Sequence, residues 1–175
     1  FNNGDIKIEP TVVPMRATNF SDDEGKFLAL TDRKISFDTA KFYGVKSKTE
    51  GTIITQHSYP YHDKEGTVVG NKFRKTATKE FWSKGDIENS GLFGQHLFPA
   101  GSAKFDAMST YEMNGSKYPC VSVKNGAQSA KKSCQQNLEY LNTFKTVVLC
   151  FDNDKPGKKA ASEVAALFEP NKCKI

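Results

Sequence analysis

The sequence predicts an α+β half followed by an α/β half with a central, mainly parallel sheet. Three observations predict it. Strand-like pieces with a charged hairpin tip fill residues 45–75, the pattern of an antiparallel meander. From Phe105 onward the order reads helix, strand, helix, strand, helix, which is how parallel sheets are built. The later strand, Val147-Val148-Leu149-Cys150-Phe151, is a continuous apolar run ending on two acids, Asp152 and Asp154. Runs without alternation belong to strands buried on both faces.

The elements follow in chain order. Residues 1–20 lack periodicity, carry Pro10 and Pro14, and read as a linker or surface arm. A helix is expected over residues 37–42, with Ser36 as its N-cap. Residues 52–61 and 67–75 form strands joined by the charged turn Asp63-Lys64-Glu65-Gly66. On the return strand Lys72 and Arg74 flank Phe73 and so share a face. The next stretch, Lys79-Glu80-Phe81-Trp82-Ser83-Lys84, interleaves rings and lysines. That suits single-stranded nucleic acid, and equally an edge strand guarded by lysines with Trp82 as a core anchor. Residues 92–98 are short and apolar, with His96 either a nucleotide contact or a structural histidine. Residues 99–102 read as a turn dividing a basic subdomain, 21–99, from a second one, 100–175. Beyond it come a helix over 105–113, a strand over 118–123, a turn at Gly126, a helix over 129–141 and the Val147 strand. A turn with Pro156 and Gly157 leads to a helix over 158–168. The helix at Phe105 has no strand before it to pack on.

Asp152 and Asp154 carry the chemistry. They stand at the carboxyl end of a strand, where open α/β sheets bind ligands. On extended backbone residues i and i+2 face the same way, and two convergent carboxylates suit Mg²⁺ with phosphate. The same residues also read as a polar turn with Asp154 as an N-cap.

Bulk properties narrow the classes. Mean hydropathy is −0.57 and no apolar run approaches a membrane span, which predicts a soluble globular chain without a membrane partner. A net charge of +5 with pI near 8.9 fits a polyanion partner. Cys120, Cys134, Cys150 and Cys173 lack C-x-x-C spacing, lie in or next to apolar segments and read as buried free thiols of a reducing compartment. The chain opens on Phe1 rather than Met, so it reads as a fragment.

The motifs taken together resemble a known family. Leu92-Phe93-Gly94-Gln95-His96-Leu97, Lys117-Tyr118-Pro119-Cys120-Val121-Ser122-Val123 with Gly126-Ala127 and Lys131-Lys132, and Phe151-Asp152-Asn153-Asp154 with Gly157 and Lys159-Ala160 are similar, in order, to the primase domain of phage primase–helicases. Phe81-Trp82-Ser83-Lys84-Gly85 is similar to a lysine–glycine motif of bacterial primases. The resemblance spans roughly residues 28–170. It implies a Toprim fold for the second subdomain and synthesis of short RNA primers on single-stranded DNA from NTPs.

The resemblance also implies roles. Asp152 and Asp154 would be catalytic and hold Mg²⁺, or Mn²⁺. Lys72, Arg74, Lys84, Gly126, Lys131 and Lys132 would contact nucleotide or DNA. Lys131 and Lys132 read equally as a solvated helix face, and Asp106 either supports the metal or caps its helix. Zinc belongs only to a preceding module outside the chain. A helicase domain and a further acidic motif would follow Ile175, a replicative DNA polymerase would be a partner, and the infected cell's cytoplasm the location. Family members carry a strand ending in Glu-Gly ahead of Phe105-Asp106-Ala107-Met108. Residues are therefore expected to belong between Lys104 and Phe105, the other reading being a genuine deletion; an intact mass of 19.4 kDa would mean deletion. A non-catalytic Toprim-like module that binds single-stranded DNA beside a helicase is the alternative. A Toprim nuclease or topoisomerase lacks support, because no catalytic tyrosine context is present.

Overall fold

The computed structural model describes residues 25–98, 100, 108–113, 115 and 120–175. The expected arm, most of the 99–102 turn, Asp106 and the junction after Lys104 lie outside the described residues.

Helix α1 spans Phe37–Phe42, and Ser36 Oγ accepts from Thr39 N at 3.2 Å, the expected cap. The Ser36 N–H donates to Glu112 Oε1 at 2.7 Å, so a second helix completes the cap. Strands β1 Lys46–Glu50, β2 Ile53–His62, β3 Val68–Lys75 and β4 Phe81–Gly85 pair antiparallel in that order. The expected meander therefore forms, with β1 and β4 as its edges. Asp63 Oδ1 accepts from Thr67 N and Glu65 N, which closes the β2–β3 turn.

Helix α2, Met108–Met113, is the described part of the expected 105–113 helix. The expected strand over 118–123 is reduced, among its described residues, to one antiparallel bridge between Phe93 and Ser122. The expected helix over 129–141 is two, α3 Ala130–Gln136 and α4 Leu138–Asn142. The break falls at Asn137, whose side chain donates to Ser133 O at 2.9 Å and competes with the helical ladder. Strand β5 is only Val147–Val148, parallel to β6, Cys173–Lys174. Helix α5 spans Lys155–Ala165 and starts three residues before the expected 158, because the cap at Asp154 sets its first turn.

The two halves share one apolar core that runs from Leu30, Tyr43 and Phe93 through Cys134 and Val147 to Val164. All four cysteines are free thiols, but only Cys120 and Cys134 are buried as expected; Cys150, past the end of β5, is exposed and Cys173 is half-buried. Tyr43 is its joint: it stacks on Phe93, and its hydroxyl donates to Cys120 O at 2.8 Å. A Cβ on Gly94 would stand 2.7 Å from the Tyr43 ring, so glycine is needed there for space as well as for φ +82°.

Candidate functional site

The acidic turn leaves β5 at the carboxyl end of the parallel pair. Leu149 N still donates to Lys174 O at 2.7 Å, but Asp152 and Asp154 lie in a bend beyond the ladder, not on a strand. Strand pleating therefore does not set the direction of the two side chains, which is a correction to the expectation. Asp154 caps α5: its Oδ1 accepts from Gly157 N at 2.7 Å. Both readings of this residue stay chemically compatible, since a carboxylate has further lone pairs. The Asp152 side chain is exposed and no described residue engages it. Exposed carboxylates are hard oxygen donors of the kind Mg²⁺ takes together with water and phosphate. Among the described residues no third acid, histidine or cysteine joins them as a ligand cluster.

Gly157 is a residue that the sequence reading left as a turn former. It is buried in the first turn of α5, and a Cβ there would come within 2.1 Å of Asp152 O. The acidic turn thus lies directly on the helix start. The available signal was a glycine inside a helix, where it is unfavourable unless something approaches closely.

Beside the turn opens a cavity of about 220 Å³. Its lining includes Asp152, Leu149, Val121, Gly126, Val164 and Phe168. Gly126 has φ +70°, and a Cβ there would meet nothing within 4 Å, so conformation rather than space selects glycine.

The basic side is built on β3. Register places Lys72 opposite Tyr59 and Ser83, and Arg74 opposite His57 and Phe81, so both basic residues do share a face. Arg74 is buried and committed: it pairs with Asp32 at 3.1 Å, and Asp32 also meets His57 Nε2 at 3.3 Å. His57 Nδ1 in turn meets Ser47 Oγ at 2.9 Å. Burial alone would raise the Asp32 pKa, but the Arg74 hydrogen bond and the His57 ring outweigh it and hold it low. Burial pushes His57 down despite Asp32, so the ring is neutral near pH 7. Lys72 Nζ donates to Lys124 O at 2.6 Å and reaches Asn125 Oδ1 at 3.4 Å, and burial lowers its pKa. It thereby ties β3 to the loop that carries Gly126. Lys124, which the sequence reading also passed over, is buried and donates to Glu88 O at 2.7 Å.

The remaining expected residues scatter. Lys84 stands opposite Asn71 on the other face of the sheet, its amine 5.6 Å from the Phe73 ring centroid. Lys131 and Lys132 are exposed on α3, and Lys132 pairs with Glu88 at 2.9 Å. His96 is structural in its contacts: its ring stacks on His62 with centroids 3.4 Å apart, and both Nδ1 atoms are buried without a hydrogen bond. A half-buried neutral pair of this kind does not present a cation to phosphate.

Comparison with known proteins places these features. A family model described as Toprim-like matches residues 103–175. The DNA helicase/primase of Enterobacteria phage T3 is 33% identical over 163 residues, which are 90% of this chain and 28% of that protein. The chain thus spans little more than a quarter of that relative's length. The primase fragment of the bacteriophage T7 primase–helicase is 31% identical with a TM-score of 0.77, over 91% of this chain and 68% of that one. A T7 structure of lagging-strand DNA polymerase with primase domains bound to an RNA/DNA hybrid and dTTP matches at 32% identity and TM-score 0.77, covering 91% of this chain and 84% of that one. The E. coli primase catalytic core matches at 15% identity and TM-score 0.52, over 76% of this chain and 56% of that one, a likeness of fold.

Proposed function

The chain belongs to the family of phage primase–helicase primase domains, and from that premise we propose that it is the primer-synthesising part of a longer replication protein. The observation that carries this reading is the match to a primase fragment across 91% of the chain, which runs through both the basic and the acidic halves. The reaction joins NTPs into short RNA on a single-stranded DNA template. It forms a bond from the 3′-oxygen to the α-phosphorus and releases pyrophosphate.

Such a transfer is mostly positioning and charge stabilisation. Asp152 and Asp154 are the residues to hold Mg²⁺, or Mn²⁺ in its place, which supplies stabilisation of phosphate charge and helps activate the 3′-hydroxyl. Gly157 keeps the Asp152 backbone seated on α5. Gly126 lets backbone N–H groups approach phosphate. Lys72, through Lys124 O, fixes the basic strand against that turn, and Arg74 acts by holding Asp32 and His57 beneath it. Lys84, Lys131 and Lys132 are exposed cations that suit template phosphates at longer range. His96 serves as packing, and Asp106 as a support of the acidic corner.

Residues 21–99 are read as the template- and nucleotide-binding subdomain and 100–175 as the Toprim subdomain. A helicase domain in the same polypeptide, the replicative DNA polymerase and the host cytoplasm complete the proposal. Among the described residues no helix is long and apolar enough to cross a membrane. The alternative is a non-catalytic module that only binds single-stranded DNA beside a helicase.

One assay separates the two. The full-length protein is given a single-stranded template, labelled NTPs and Mg²⁺. Oligoribonucleotides from wild type, and their loss by at least about a hundredfold in Asp152→Ala, support synthesis. DNA binding without product, or equal product from the variant, overturns it.

A further inference from the structure

We infer that Phe81 is a stacking platform for an unpaired nucleobase of single-stranded DNA. The inference rests on the primase reading and names the residue by which the basic half grips its template. Two adjacent rings, Phe81 and Trp82, stand out in the sequence, and the fold gives them opposite fates. Trp82 lies opposite Phe73 and stacks on it with centroids 5.3 Å apart and ring planes 15° apart. It is half-buried and serves the sheet. Phe81 lies opposite Arg74, on the face that carries Lys72, and is 57% exposed. It sits on β4, the edge of the four-stranded sheet, so no further strand covers it there among the described residues.

The surroundings of the ring fit a base rather than a core partner. Lys72 Nζ lies 5.4 Å from the Phe81 centroid, a cation held at the ring by its bond to Lys124 O. That arrangement combines a π-face with a positive charge, the pairing by which single-stranded nucleic acid is held without regard to sequence. The route onward is continuous. Lys72 touches residues 124 and 125, and Gly126 shares a cavity with Asp152. The Phe81 ring is thus linked, through Lys72 and residues 124 and 125, to the loop that borders the cavity beside the acidic turn. Tyr59 and Tyr61, the other rings of this sheet on β2, are packed against Phe93, which leaves Phe81 as the exposed ring of that face among the described residues.

The test measures binding of a fluorescein-labelled, mixed-sequence DNA oligonucleotide to the 175-residue chain by anisotropy. A second oligonucleotide carries 2-aminopurine. Phe81→Leu is expected to weaken binding roughly five- to a hundredfold, with the salt dependence unchanged because no phosphate contact is lost. Phe81→Tyr, which keeps the ring, is expected to bind like wild type. Quenching of 2-aminopurine is expected with wild type and Phe81→Tyr and not with Phe81→Leu. Binding by Phe81→Leu equal to wild type overturns the platform and leaves the primase reading standing. Equal losses in both variants, or a changed salt slope, also overturn it. A wild-type chain that does not bind DNA at all overturns both the platform and the template role of this half.

Discussion

At the scale of single residues, the acidic turn depends on an atom that is absent: the Cβ of Gly157. Alanine is the better helix former by roughly 1 kcal/mol, so propensity alone predicts that Gly157→Ala stabilises α5. The close approach of Asp152 O predicts the reverse, since the new methyl must displace backbone. Displacement wins because a 2.1 Å contact has no side-chain route of relief. Gly157→Ala is therefore expected to lower the thermal midpoint and to cut primer synthesis at least about tenfold, as a small misplacement of a reacting group costs that much or more. Gly126→Ala is the informative companion. It meets no atom, and its cost is conformational: φ +70° with ψ −167° is a region kept almost to glycine, so a loss of about 1–3 kcal/mol without displaced backbone is expected. Equal or higher midpoints in Gly157→Ala than in wild type would show that Asp152 does not rest on the helix as described.

At the scale of elements, the histidine pair joins the end of β2 to the short 3-10 turn Gln95–Leu97. Burial brings the His62 pKa down to about 4, and burial with the His62 neighbour brings His96 down to about 3. The unfolded chain protonates both near 6.5, so it binds more protons than the folded one once pH falls below that value. The histidine contribution to stability is thus complete above about pH 6.5 and is lost progressively toward about pH 4. His57, also lowered by burial, adds in the same direction. Asp32 and Glu112, whose carboxyls are held low, lose their contribution only as pH falls through their folded values, below the usual carboxylate range. Thermal midpoints taken from pH 7.5 to 4.5 are expected to fall by several degrees, on the order of what ~1–2 kcal/mol gives in a domain of this size. His96→Phe keeps a stacking ring and should flatten that slope. An unchanged slope would assign the pH dependence elsewhere. None of this was legible in the sequence, because His62 and His96 are far apart in the chain and nothing local announces their stacking. The α1 cap and the strand meander were legible, since Ser36 and the Asp63–Gly66 turn act within a few residues. The break at Asn137 was not, because an apolar stripe does not show when a side-chain amide will take a backbone carbonyl.

At the scale of the whole molecule, the sequence divides where the core does not. A turn near residue 100 and a change from meander to helix–strand alternation argue two subdomains, yet the apolar cluster passes from one to the other without interruption. Sequence periodicity reports which face of an element is apolar and is silent on which distant face it meets. The joint is aromatic: Phe42 stacks on Tyr111, Tyr43 meets the same ring edge-on, and Tyr140 reaches Phe98 O at 3.1 Å. A continuous core predicts one cooperative unfolding transition rather than two. The chain contains its own reporters for this. Trp82, the one tryptophan, senses the antiparallel sheet by its stack on Phe73, whereas α3, α4 and α5 supply most of the helical signal from the other half. In urea the Trp82 fluorescence and far-ultraviolet circular dichroism curves are expected to superimpose. Tyr43→Phe keeps the ring and removes the hydroxyl from Cys120 O, leaving a buried carbonyl without that donor. It should lower stability by about 1–3 kcal/mol, with both curves moving together and with an unchanged denaturant slope. If only one reporter shifts, or if the wild-type curves separate, the two halves fold as independent units and the aromatic joint is a contact rather than a shared core.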